Sequence, residues 1–120
     1  MRIDKWYTSS YLKRNRKLRR RQILTNVTYH TMSRCIDKKN YMNSDKIKNL
    51  FIFILELAQK KYDFELNDYV IMDNHFHLKI TITNEKDPIN LIMQFIKAQF
   101  ARRFNKMFNR TGPFWNERYK

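Results

Sequence analysis

Three residue types that usually shape turns or cross-link a chain are scarce in this 120-residue sequence. It has one glycine (Gly112), two prolines (Pro88 and Pro113) and one cysteine (Cys35). A single cysteine cannot form an internal disulfide, and it does not match a metal-binding cysteine pattern. We therefore expect turns built on Asn, Asp and Ser, and a protein of the reducing cytoplasm.

Long apolar runs are also absent. The longest covers residues 50–55, far below the length that crosses a bilayer, so no membrane partner is expected. The chain still has 42% hydrophobic and 15% aromatic residues, which is enough for a folded core. A length of 120 residues suits one domain and leaves no room for separate catalytic and binding domains.

Acidic residues are few: 11, against 25 Lys and Arg, for a net charge of +14. Residues 1–34 carry ten basic residues and one acidic residue, residues 35–83 carry seven of each, and residues 84–120 carry eight and three. Seven of the nine residues in 13–21 are basic. We predict a basic N-terminal arm over residues 1–22, a domain over residues 23–120, and a polyanionic partner, with nucleic acid as the first candidate.

The spacing of apolar residues predicts six elements. Strands are expected over residues 23–34, 64–72, 75–83 and 114–119. A first helix is expected from an N-cap at Asn43 or Ser44 to Tyr62, and a second from an N-cap at Asp87 to about residue 110. The order βαββαβ predicts an α+β fold with a ferredoxin-like antiparallel sheet, two helices on one face, and the other face free for a ligand.

The third predicted strand contains the sharpest chemical feature, His75-Phe76-His77. Residues i and i+2 of a strand point to the same side, so both imidazoles would share one face. Such a pair can chelate a divalent metal that polarises a phosphoryl oxygen, although it would need at least one more protein ligand. The alternative is two surface histidines without a ligand.

Four ordered blocks of this sequence resemble the REP-associated tyrosine transposases, which belong to the single-tyrosine HUH transposases (histidine, hydrophobic residue, histidine). Residues 70–78, VIMDNHFHL, are similar to the family's MPNHFHL signature, with Asp73 in place of proline. Residues 29–34, YHTMSR, resemble its first strand, and residues 93–97, MQFIK, its second helix. Residues 104–105 and 112–119 resemble its FN and G-x-x-W-x-x-RY block.

The resemblance implies a fold of the HUH type and an enzyme that cleaves and rejoins single-stranded or hairpin DNA. His75 and His77 would be catalytic residues that bind Mg²⁺ or Mn²⁺, and a homodimer is expected from the family. The family's nucleophilic tyrosine lies on a helix after the RY block. No residue of this chain matches it, so we expect these 120 residues alone to be inactive.

Thirteen residues are predicted to contact DNA. They are Arg14, Arg16, Arg19, Arg20, Arg21, Arg34, Lys97, Arg102, Arg103, Lys106, Arg110, Trp115 and Arg118. For the cations the alternative is a solvated surface charge, and for Trp115 it is a place in the core instead of stacking on a base. Two other functions remain open: a non-catalytic nucleic-acid-binding module derived from such a transposase, and a ferredoxin-like RNA binder.

Overall fold

The computed structural model describes residues 26–116, in which two helices pack on one antiparallel sheet. The strands are β1 (Val27–Arg34), β2 (Phe64–Ile71) and β3 (His75–Ile82). The helices are α1 (Asp45–Lys61) and α2 (Ile89–Met107), and a short turn of 3-10 helix, Ile36–Lys38, follows β1. The predicted α+β class and the order of these five main elements are confirmed.

Strand β3 lies at the centre of the sheet, in the order β1-β3-β2, and both neighbours run antiparallel to it. Its side chains alternate between the two faces because strand residues have a period of two. The even-numbered residues Phe76, Leu78, Ile80 and Ile82 are buried against the helices. The odd-numbered residues, which include both histidines, therefore lie on the face without helices.

The N-cap of helix α1 is Ser44, one of the two candidates that the sequence predicts. Its hydroxyl oxygen accepts a hydrogen bond from the backbone N–H of Ile47 at 3.2 Å, which satisfies one of the free donors of the first turn. The buried side of α1 has the helical spacing of the core and consists of Ile47, Phe51, Ile54, Leu55 and Ala58.

Helix α2 begins one residue later than predicted, and its N-cap is Pro88, which has no side-chain hydrogen bond. The expectation that Asp87 caps this helix is wrong. Its carboxylate instead accepts a hydrogen bond at 2.8 Å from the backbone N–H of Asp63, in the connection between α1 and β2. Asp87 therefore ties the start of α2 to the end of α1, a contact between residues 24 positions apart that local spacing does not reveal.

The predicted fourth strand is represented, within residues 26–116, by one isolated β-bridge between Trp115 and Cys35. The backbone N–H of Asn116 donates to the carbonyl of Arg34 at 2.8 Å, so this segment runs antiparallel beside the end of β1. The remainder of that predicted strand and the arm over residues 1–22 lie outside the described residues.

Candidate metal centre and nucleic-acid interface

The histidine pair lies at the start of β3 on the face without helices. The ring centroids of His75 and His77 are 5.0 Å apart, with an interplanar angle of 81°. Arg34 of β1 is opposite His75, and Val70 of β2 is opposite His77. The two imidazoles are therefore held on the central strand between a cation on one side and an apolar residue on the other.

The two rings differ in their hydrogen bonds. Nδ1 of His75 is 2.8 Å from Oδ1 of Asn74. Nδ1 of His77 is buried and has no hydrogen-bond partner among the residues that the structure describes. A buried polar nitrogen without a partner is costly, and a bound cation or its water would relieve that cost.

The pKa of each imidazole lies below its ordinary value of 6.5, and burial is the main cause in both. The positive charge of Arg34 lowers the pKa of both rings further, and His77 adds to the effect on His75. Both histidines are therefore neutral near neutral pH. Metal binding requires the neutral form of imidazole, so the electrostatics favour a ligand role.

The donor set fits part of a divalent-metal site. Between residues 26 and 116, no group of three or more His, Cys, Asp or Glu residues is close enough to hold a metal ion. His75 and His77 could supply two nitrogen ligands. The remaining positions would have to be filled by water, a phosphate oxygen of DNA, or a residue outside the described range.

The same sheet face continues away from the histidines as a polar surface. Lys79 is exposed next to His77 on this face, opposite His30 of β1. Farther along, the hydroxyl groups of Thr28 and Thr81 are 2.7 Å apart, and the Thr81 hydroxyl donates to Oδ1 of Asn67 at 2.7 Å. This row of hydroxyl and amide groups spans all three strands.

Apolar side chains flank the histidines on the β2 side. Val70 is 46% exposed, and Met72, whose backbone N–H donates to the carbonyl of His75, is 44% exposed. These two side chains form an apolar border to the histidine pair.

The predicted DNA contacts fall in two different layers. Arg34 lies on the sheet face with the histidines. Arg102, Arg103 and Lys106 are exposed on α2, in the helical layer on the other side of the sheet, where Arg103 lies over the ring of Phe53 at 5.7 Å. Six further predicted contacts lie outside the described residues. They are Arg14, Arg16, Arg19, Arg20 and Arg21 of the N-terminal arm, and Arg118.

Two predicted DNA contacts are core residues, and this corrects the expectation that they face a ligand. Trp115 is 6% exposed, and its indole N–H donates to the carbonyl of Lys97 at 3.0 Å. Lys97 itself is 8% exposed. The physical reason is that residues 93, 97, 100 and 104 share one side of α2, so helical spacing places Lys97 on the buried side despite its charge.

The guanidinium of Arg110 is hydrogen-bonded within the turn that follows α2. It donates to Oδ1 of Asn105 and to the carbonyl of Pro113, each at 2.8 Å, and lies 4.8 Å from the Tyr41 ring centroid. These contacts fasten the segment that leads to Trp115. Arg110 therefore has a structural role that competes with the predicted contact to DNA.

None of the four tyrosines within residues 26–116 lies on the histidine face. Tyr29 and Tyr69 are opposite Ile80 and Leu78, on the core face of the sheet. Tyr41 contacts Phe104 and Phe114, and Tyr62 packs edge-on against Phe95. The described residues thus bring no tyrosine hydroxyl to the histidines.

Sequence reasoning assigned no role to Asn74 beyond a turn, or to Lys79, Val70 and Met72 beyond a strand. Strand parity does place Lys79 on the same face as His75 and His77, as the structure shows. The position of Val70 and Met72 beside the histidines depends on the pairing register of β2 with β3, which includes a β-bulge between Leu66 and Asp68. That bulge reverses the alternation, so the sequence alone does not predict their face.

Comparisons with known proteins agree with this architecture. The family model of IS200-like transposases matches residues 23–120. A putative transposase from Deinococcus radiodurans R1 is similar in structure, with a TM-score of 0.64 and 21% identity over 78% of this chain and 75% of that one. A REP-associated tyrosine transposase bound to a REP hairpin is similar too, with a TM-score of 0.64 and 15% identity over 81% of this chain.

At these identities the two structures support the fold, and this chain spans 55% of the length of the second. A search of curated proteins finds no match. No helix within residues 26–116 is long and apolar enough to cross a membrane. An antiparallel sheet with two helices on one face and a histidine pair on the other defines an α+β domain with the fold of these two structures. Because the family model covers most of its length, the chain belongs to the IS200-like transposase family.

Proposed function

We propose that this chain is a DNA-binding transposase domain that acts on single-stranded or hairpin DNA by metal-assisted cleavage and rejoining of a phosphodiester bond. The observation that carries the proposal is the pair of imidazoles on the central strand, with ring centroids 5.0 Å apart and with Arg34 opposite His75 on the neighbouring strand. In this proposal His75 and His77 bind Mg²⁺ or Mn²⁺.

The surroundings of the pair suit unpaired DNA. Arg34 and Lys79 on the same face supply positive charge for phosphates. The hydroxyl groups of Thr28 and Thr81 can hydrogen-bond to the sugar-phosphate backbone of the DNA. The exposed side chains of Val70 and Met72 offer an apolar surface for an unstacked base. The structural relative with a REP hairpin supports the choice of a hairpin substrate.

The chemistry of the site follows from its charges. A divalent ion on the histidines would polarise the scissile phosphate and neutralise charge that develops on its oxygens. Arg34 would orient that phosphate by hydrogen bonds from its guanidinium. The lowered pKa of both histidines keeps their nitrogens available as ligands, so protons do not compete with the metal near pH 7.

We further propose that these 120 residues alone bind DNA without forming a covalent link to it. No residue of the chain matches the family's nucleophilic tyrosine, and the described tyrosines lie away from the histidine face. This supports a second candidate, a non-catalytic nucleic-acid-binding module that retains the sheet face. The two candidates differ in whether the metal contributes to binding.

The test incubates the full chain with a labelled DNA hairpin that carries a single-stranded flank, with and without Mn²⁺. We expect a complex on a native gel that Mn²⁺ tightens, and no labelled band at the position of the protein on a denaturing gel. A covalent band that disappears in Tyr119→Phe would overturn the proposed absence of a nucleophile.

The matched variants are His75→Ala with His77→Ala, and His30→Ala as the control. His30 is on the same face in β1, opposite Lys79, and is not one of the two proposed metal ligands. Loss of the Mn²⁺ effect only in the double variant supports the metal-dependent function. Binding that is insensitive to Mn²⁺ in the unaltered chain supports the non-catalytic module instead.

A further inference from the structure

Asn74, in the turn between β2 and β3, contacts the segment that follows β1 through both its backbone and its side chain. The turn closes when the backbone N–H of Met72 donates to the carbonyl of His75 at 2.8 Å. The backbone carbonyl of Asn74 accepts from the N–H of Cys35 at 2.8 Å. Its side-chain amide lies between the carbonyl of Lys38, 3.4 Å from Nδ2, and the imidazole of His75, 2.8 Å from Oδ1.

These partners fix which way the amide faces. A backbone carbonyl can only accept hydrogen bonds, so the NH₂ group of Asn74 has to face Lys38. The amide oxygen then faces the imidazole, and it can only accept. Nδ1 of His75 therefore has to carry the proton of that hydrogen bond. A neutral imidazole has one N–H, so the lone pair of His75 is left on Nε2.

We propose that Asn74 is a positioning residue that holds His75 in its Nδ1–H form and fixes the ring orientation. Nε2 is then the atom that binds the divalent ion. In water, free imidazole side chains favour the opposite, Nε2–H form, so the hydrogen bond works against the intrinsic preference. The metal part of this inference rests on the proposed function, whereas the protonated nitrogen is a property of the chain itself.

His77 provides an internal reference. Its Nδ1 has no hydrogen-bond partner within residues 26–116, so Asn74 has no contact through which to select its protonated nitrogen. Asp73 provides a matched control in the same turn. Its carboxylate pairs with Lys48 at 2.9 Å, and no hydrogen bond joins it to either imidazole among the described residues.

The first experiment is ¹⁵N NMR of the histidine rings of the full, metal-free chain at about pH 8, which reads the protonated nitrogen directly. We expect His75 in the Nδ1–H form, and a shift toward Nε2–H in Asn74→Ala but not in Asp73→Ala. His77 should be unchanged in both. An Nε2–H signal for His75 in the unaltered chain, a reading that needs no variant, would overturn the proposal.

Asn74→Asp separates the two contacts of the amide. Aspartate keeps an acceptor for the imidazole N–H but cannot donate to the Lys38 carbonyl. We expect this variant to keep His75 in the Nδ1–H form. If Asn74→Ala shifts the far-ultraviolet circular dichroism spectrum, Asn74→Asp and the unaltered chain still decide the question.

The second experiment measures Mn²⁺ affinity by isothermal titration calorimetry. Loss of a partner that orients a ligand usually lowers metal affinity by about 10–100-fold, and we expect a loss in this range for Asn74→Ala and no change for Asp73→Ala. Undetectable Mn²⁺ binding to the unaltered chain, together with Nδ1–H on His75, would overturn the metal site and support the orienting role. Tight Mn²⁺ binding with Nε2–H on His75 would overturn the role of Asn74 alone.

Discussion

Phe76 joins the histidine pair to the core because it lies between the two histidines and points to the opposite face. It is fully buried, with ring centroids 4.7 Å from Phe51 of α1 and 5.3 Å from Trp115. One strand residue thus contacts a helix and the C-terminal segment together. The positions of His75 and His77 depend on how well this ring is packed.

We expect Phe76→Ala to lower the free energy of unfolding by about 3–5 kcal/mol, because it removes a large buried ring and leaves a cavity. Phe53→Ala is the control, since Phe53 is 45% exposed on α1 and its removal should cost about 1 kcal/mol or less. Urea unfolding followed by circular dichroism measures both. Similar losses for the two variants would contradict the packing described for Phe76.

A pH dependence follows from the lowered pKa of His75 and His77. The unfolded chain takes up protons near the ordinary value of 6.5, whereas the folded chain takes them up only at lower pH. Their contribution to stability is therefore present above pH 6.5 and is lost as the pH falls through the folded values.

We expect the free energy of unfolding to fall between about pH 7 and 5, and to fall less steeply when both histidines are replaced by glutamine. Urea titrations at several pH values measure the two slopes. Equal slopes for the unaltered chain and the double variant would show that neither imidazole has a lowered pKa.

At the scale of elements, the helices and strands follow from local patterns. Helix α1 has a capping serine and an apolar side with helical spacing, and β3 alternates regularly, so both are predictable within about a residue of their bounds. The environments of Trp115 and Asp87 are not predictable in this way, because each is placed by a contact between distant parts of the chain. Lys97 differs from them: its helical spacing places it on the buried side of α2, whereas its charge suggests an exposed residue.

The candidate site also combines residues that local patterns predict with residues placed by contacts between distant parts of the chain. Its centre, His75 and His77, follows from strand periodicity alone. Its border does not, because the strand order puts Arg34 and Val70 beside the pair, and the bulge in β2 decides which face Val70 takes. The register depends on how two strands pair, so the sequence of one strand alone does not determine it.

The cap of α1 can be tested separately from the sheet. Ser44→Ala removes the acceptor for the N–H of Ile47 and should lower the free energy of unfolding by about 1 kcal/mol. Ser44→Asp, which keeps an acceptor at the cap, should restore most of that loss. Thermal unfolding ranks the three chains, and equal midpoints for Ser44→Ala and Ser44→Asp would argue against the cap.

At the scale of the whole molecule, the net charge of +14 is distributed over both layers. Arg34 and Lys79 lie on the sheet face, whereas Arg102 and Arg103 lie on the helical layer beyond the core. If DNA binds the histidine face, the two pairs of basic residues make different contributions to DNA affinity, even though each pair carries the same charge. The salt dependence of binding separates them, since each phosphate contact releases counterions.

We expect Arg34→Gln with Lys79→Gln to reduce the slope of log K against log salt by about 1.4 for single-stranded DNA, at about 0.7 per phosphate contact. Arg102→Gln with Arg103→Gln should reduce it less, because these side chains reach only DNA that extends around the sheet. Fluorescence anisotropy at several salt concentrations measures both slopes. Equal reductions would mean that net charge, and not the histidine face, governs binding.

The central position of β3 also determines which strands of the sheet separate first in local fluctuations. Its backbone is hydrogen-bonded along both edges, whereas β1 and β2 each pair with it along one edge. Local fluctuations begin at elements with fewer bonds, so the outer strands fray first. We therefore expect the two imidazoles to keep their separation while Val70 and the adjacent Met72 move with the edge of β2. Arg34 is held more firmly, because its backbone carbonyl also accepts a hydrogen bond from Asn116. A histidine pair on the central strand would thus keep its geometry while the β2 border adjusts to ligands of different shapes.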